Sequence, residues 1–213
     1  MPSVTRFVAA AVVTTGALLT TDAISTTVSA AAPCPDVEVV FARGTTEPPG
    51  VGGVGQSFVD ALRSQVGGRS LNVYPVNYPA SNEFSSSVPA GANDASTHVQ
   101  SVAASCPNTR MVLGGYSQGA AVVDVITEQM PAQVADHVAA VAVFGNPSPA
   151  GSLSRRLWSG SLPAIGPLYT GKTIDLCVPG DPICTDGVTM GPHVQYVQTG
   201  MTSQAATFAA GRL

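Results

Sequence analysis

The chain has little charge. Only 10% of its 213 residues are Asp, Glu, Lys or Arg, and nine Lys and Arg face thirteen Asp and Glu, for a net charge of −4. No basic stripe exists to track a phosphate backbone or an anionic membrane surface, so nucleic acid is not an expected partner. Histidine is scarce as well. There are three, with no zinc-type spacing, and the four cysteines form no C-x-x-C pair. Neither a metal site nor a cofactor is expected. Internal repeats and domain linkers are missing. The most apolar stretch, Phe7 to Thr21, is too short and threonine-rich to span a membrane comfortably.

That stretch nevertheless has a meaning. Arg6 precedes it, and the small residues Val28-Ser29-Ala30-Ala31-Ala32 come after it. Charged, apolar, then small is the order of a secretory signal. We read residues 1–32 as a leader cleaved after Ala30 or Ala32, and 33–213 as one mature domain of a secreted protein. In an oxidising compartment an even set of cysteines argues for disulfides. Cys34, Cys106, Cys177 and Cys184 allow three connectivities. Cys177 and Cys184 are near enough to clip one loop, and Cys34 would then pair with Cys106.

Two periodicities alternate through the mature chain. Short apolar, β-branched runs read as buried strands at Val37–Ala42, Leu71–Val76, Met111–Gly115, Val138–Phe144 and Thr173–Val178. Helical spacing joins Phe58, Ala61, Leu62 and Val66, then Ala95, Val99, Val102 and Ala103, then Val122, Val125, Ile126 and Met130. A last helix is expected from Val194 through Val197, Met201 and Ala205 to Phe208. Such alternation predicts an α/β fold, a mostly parallel sheet with helices on both faces. Pro147 to Lys172 breaks the rhythm. It is rich in Gly, Pro and Ser, and a loop of that length is either a surface crossover or a functional element.

The chemistry centres on Gly115-Tyr116-Ser117-Gln118-Gly119. An apolar strand enters this G-x-S-x-G and a helix starts at once, which is the context of a nucleophile elbow. Such a turn lifts the Ser117 hydroxyl out at the carboxyl end of the strand. The helix N-terminus then points at developing negative charge, and the Gln118 N–H is one oxyanion donor. A serine hydroxyl needs a base. His98 lies on a helix before the nucleophile and His137 at the start of the fourth strand, the wrong end. His193 comes after the last strand and can reach the carboxyl face. The acid belongs on a loop between Ser and His in chain order. Asp181, in the turn after Leu176-Cys177-Val178, fits best. Asp186 competes, while Asp175 lies inside a strand. Gly50-Val51-Gly52-Gly53-Val54-Gly55 imitates a dinucleotide fingerprint, but Arg43 to Pro49 separate it from the strand and no acid ends the second strand. It reads as a flexible loop near the site, and no nucleotide is expected.

Four landmarks in order give the mature chain a resemblance to the cutinases, small secreted esterases of the α/β-hydrolase group, and most of all to their bacterial branch. They are Phe41-Ala42-Arg43-Gly44-Thr45-Thr46-Glu47, Gly114 to Gly119, Cys177-Val178-Pro179-Gly180-Asp181-Pro182-Ile183-Cys184, and His193 beyond. The resemblance implies a triad of Ser117, Asp181 and His193 and an oxyanion hole of Thr45 and Gln118. It also implies disulfides Cys34–Cys106 and Cys177–Cys184, and a three-layer fold on a five-stranded sheet without a large lid. The expected activity is hydrolysis of short- to medium-chain acyl esters, small-molecule, lipid or polymer, by a monomer. An acetyl esterase, lipase or acyltransferase on the same site, or a secreted antigen that only binds, are the competing readings.

Overall fold

The computed structural model describes residues 1–3, 33–158 and 160–213. Apart from its first three residues, the leader expected over 1–32 lies outside them. The unit Pro33–Leu213 carries the fold. Its elements in chain order are β1 (Val37–Ala42), α1 (Gly52–Arg63), β2 (Leu71–Pro75), α2 (Phe84–Ser105), β3 (Arg110–Tyr116) and α3 (Gln118–Gln129). Then come the single turn α4 (Ala132–Ala135), β4 (Val138–Phe144), the single turn α5 (Ser154–Leu157), β5 (Thr173–Leu176) and α6 (Met201–Ala210).

The five strands form one sheet in the order β2-β1-β3-β4-β5, and every pairing is parallel. Parallel strands are covered on both faces, which is why β1 and β4 are apolar at nearly every position and buried at all of them. Side chains alternate between two cores. Val40, Ala42, Met111 and Leu113 pack with α2 and α3, whereas Val39, Phe41, Val112 and Phe144 pack with α1 and α6. An irregularity at Met111/Val112 pairs Met111 with Val138 and Val112 with Ala140. One residue of β4 is thereby skipped, so Val138 and Val141 share a face. Both disulfides expected from the resemblance are present, Cys34–Cys106 and Cys177–Cys184, with Cα atoms 5.6 and 5.9 Å apart. No helix among the described residues is long and apolar enough to cross a membrane.

Two local expectations need correction. The last helix does not start at Val194. Gly200 takes a left-handed conformation (φ 75°) and α6 begins only at Met201. Val194 and Val197 instead sit in a 3₁₀ turn and its sequel, 63% and 43% exposed. The glycine-rich stretch is not a loose loop either. Gly52 to Gly55 form the first turn of α1, and the Gly53 N–H donates to the Glu47 carboxylate at 2.8 Å.

Candidate active site

Ser117 stands between β3 and α3 with φ 56° and ψ −118°. A side-chain-bearing residue in that region is strained, and the surroundings must hold it there. Two contacts do so. The Ser117 N–H donates to Phe144 O at 2.9 Å, and its carbonyl accepts from Ala120 N at 2.9 Å. The flanking glycines are forced by space. A Cβ on Gly115 would lie 2.2 Å from Gly119 O, and one on Gly119 would lie 1.9 Å from Ala42 O. The helix therefore starts hard against β1, and Gln118, as its first residue, has an N–H with no acceptor inside the helix. The Gln118 side chain is pinned: Nε2 donates to Ser81 O at 2.7 Å and Oε1 accepts from Ser87 Oγ at 3.0 Å.

Thr45 borders the same site on the loop after β1. That loop is rigid because Arg43, only 4% exposed, donates to Glu47 O and Tyr78 O, both at 2.8 Å. The Glu47 carboxylate closes the loop by accepting from Gly44 N at 2.6 Å.

His193 and Asp181 meet after β5. His193 Nδ1 lies 2.7 Å from Asp181 Oδ2. Asp181 is 0% and His193 5% exposed. Burial pushes the Asp181 carboxyl up, but donors from His193, Tyr196 and the Ile183 N–H outweigh it and hold the group below the ordinary carboxylate range. An ionised Asp181 fixes the proton on Nδ1 and leaves Nε2 free to accept. Tyr196 is invisible as a site residue in the sequence, yet its hydroxyl donates to the same Oδ2 at 2.5 Å. Its one signal is position, three residues after His193 in the same tight turn. Burial, and then the neighbouring Asp181 charge, raise the Tyr196 hydroxyl far above its usual range, so it stays a proton donor. The pocket for both rings exists because Gly145 has no side chain: a Cβ there would approach His193 Cε1 and the Tyr196 hydroxyl to 2.9 Å. Tyr116 steadies the other side, donating to His193 O at 2.7 Å.

Ser117, Gln118, Thr45 and His193 all border one cavity of about 350 Å³. Ser117 Oγ forms no hydrogen bond to His193; between a nucleophile and its base such a bond often tightens only in the Michaelis complex. The rest of the wall is mainly apolar, with Phe84, Leu153, Leu157, Trp158, Ile183 and Met190. The segment 147–172 is thus part of the site as well as a crossover. It is tied to the acid loop by Leu153 N to Pro182 O (2.8 Å), Ser154 Oγ to Ile183 O (2.6 Å) and Ser148 Oγ to Cys184 O (2.8 Å).

The other candidates fall elsewhere. His98 bonds Glu38 at 2.7 Å and stacks on Tyr74. His137 precedes β4 at the amino end of the sheet. Asp186 is exposed and borders a separate hollow beside Arg156. Among the described residues no cluster of three or more His, Cys, Asp or Glu is placed to hold a metal ion.

A parallel sheet with a strained serine at the turn into a central helix, and a His–Asp pair on the loops beyond it, defines the α/β-hydrolase class. The family profile described as Cutinase matches residues 33–213, and the chain belongs to the cutinase family. It is a carboxylic ester hydrolase of that family. It is 59% identical to carboxylesterase Culp1 of Mycobacterium tuberculosis over 212 residues, 99% of this chain and 96% of that one. To phospholipase Culp4 of the same organism it is 49% identical, covering 92% of this chain and 86% of the other. Among solved structures it resembles Trichoderma reesei cutinase in complex with a phosphonate inhibitor, at TM-score 0.68 and 37% identity over 84% of this chain and 77% of that one.

Proposed function

We propose that the protein is a secreted serine carboxylesterase that acts through Ser117, His193 and Asp181 on esters with short to medium acyl chains. The observation that carries this reading is the buried Asp181–His193 pair, whose His193 borders the same cavity as the elbow serine. In the first step His193 Nε2 takes the Ser117 proton as Oγ bonds to the ester carbonyl carbon. The N–H of Gln118 and the N–H and hydroxyl of Thr45 receive the oxyanion. Asp181 keeps the imidazole in the required tautomer and stabilises the imidazolium. The imidazolium then protonates the leaving alcohol as the C–O bond breaks. Water, deprotonated by His193, attacks the acyl-enzyme and releases the acid.

The mouth of the cavity supports an ester that is poorly soluble in water. Leu157, Met190 and Val194 line it at 47%, 44% and 63% exposure, and Val188 beside it is 99% exposed. Two disulfides in a chain with a leader-like start support export. The direct test is an organophosphate label with p-nitrophenyl butyrate turnover as the readout. Wild type should be labelled on Ser117 and inactivated, and Ser117→Ala should neither label nor turn over. A Ser117→Ala protein as fast as wild type would sink the reading.

A further inference from the structure

Beyond the catalytic cavity lies a second hollow of about 570 Å³, lined by none of Ser117, Thr45, Gln118 or His193. The two share four lining residues, Asn82, Phe84, Leu157 and Trp158, so they stand back to back. Among the four shared residues is a pair of aromatic rings, Phe84 from the start of α2 and Trp158 from the 147–172 segment. Their centroids are 5.8 Å apart and the planes tilt by 49°, an arrangement of rings in contact. Behind the pair, Val88 and Pro89 of α2, Val125 of α3, and Leu162 and Pro163 supply the apolar part of the lining, while Glu83, Ser85, Glu128 and Ser161 make the rest polar.

The direction of the reaction says which half of an ester faces this hollow. The leaving alcohol takes its proton from His193, so it departs on the side of His193, Met190 and Val194. None of these three borders the second hollow. The acyl chain therefore runs the other way, toward Phe84 and Trp158.

We propose that the second hollow is a distal acyl subsite, and that the Phe84–Trp158 contact sets the longest acyl chain the enzyme accepts by closing it off. The proposal rests on the catalytic reading given above. With the rings in contact, a chain that fills the first cavity stops at them. With either ring removed the two spaces join, and each further methylene that leaves water gains up to about fourfold in binding.

The test is the ratio of kcat/KM for p-nitrophenyl palmitate to that for p-nitrophenyl butyrate, in one fixed detergent. A ratio does not depend on how much of a variant is correctly folded. Wild type should give a low ratio. Trp158→Ala and Phe84→Ala, which open the partition from opposite sides, should each raise it at least about tenfold. Adding Val125→Phe to Trp158→Ala fills the far hollow and should return the ratio toward the wild-type value. A wild-type ratio near one, ratios unmoved in both single variants, or a gain that Val125→Phe leaves intact would each overturn the proposal. Wild type that does not turn over butyrate at all would instead defeat the catalytic reading.

Discussion

Asp181 and Asp124 are equally cut off from water, at 0% and 1% exposure, yet the structure holds them in opposite states. Burial disfavours the charged form of both. Asp181 receives three donors, from His193, Tyr196 and the Ile183 N–H, and is kept ionised. Asp124, on α3, has one: Asn146 Nδ2 donates to Oδ1 at 3.2 Å. Burial there outweighs that bond, nearby Asp175 and Glu128 push the same way, and the carboxyl is raised to about 8. The partnerless atoms agree. Among the described residues Asp124 Oδ2 and Asn146 Oδ1 both lack a partner, and a proton on Oδ2 is what an acid–amide pair needs to close. Donor number, not depth, decides the charge of a buried acid in this domain.

That contrast can be broken from the catalytic side first. Asp181→Asn keeps the shape but loses the charge and the tautomer control. Steady-state kinetics on p-nitrophenyl butyrate should show kcat down by about 10⁴-fold. Tyr196→Phe removes one donor and keeps the ring. It should lower kcat by about tenfold, the worth of one hydrogen bond to a charged group, with little change in KM.

Smaller effects are expected away from the charge itself. Replacing Cys177 and Cys184 with serine frees the loop under Asp181, whose disulfide sulfur at Cys184 also lies 3.4 Å from the Tyr196 hydroxyl. For this 7-residue separation the cost should be about 2 kcal/mol by chain entropy, a fall in Tm of roughly 4–8 °C, with a severalfold loss of kcat. The smallest effect on activity belongs to Asp124. A folded value of about 8 against an unfolded 3.8 means the folded state keeps the proton longer. Its contribution is complete below 3.8 and is lost as pH rises through about 8. Asp124→Asn, which can pair with Asn146 without a proton, should leave activity unchanged. Calorimetry should find its Tm closest to wild type in acid and clearly above it at about pH 9.

The same contrast marks what the sequence could say. Buried strands announce themselves, since parallel strands need an apolar residue at nearly every position. All five lie within one or two residues of their expected ends, although the edge strands β2 and β5, expected as buried, are largely half-buried. The residues proposed as the triad, Ser117, Asp181 and His193, stand out in the sequence because each sits in a local pattern: an elbow, a disulfide-clipped turn, a loop before a helix. Tyr196 is not, because its role arises only when the turn folds back beneath β4 and Gly145 leaves room. The last helix starts later than its spacing predicts for a local reason, since steps of three and four persist through Val194 and Val197 although Gly200 breaks the backbone there. Phe84 and Trp158 stand 74 positions apart in the chain, and nothing in spacing joins them.

The 147–172 segment is moored at both ends. Ser148, Leu153 and Ser154 tie it to the acid loop, and the Gly166 N–H bonds Thr127 on α3 at 3.1 Å. Between the moorings, Leu157, Trp158, Leu162 and Pro163 border the two hollows. On the subsite proposal, substitutions between the moorings should change which esters the site admits, while the moorings keep the loop carrying Asp181 in place.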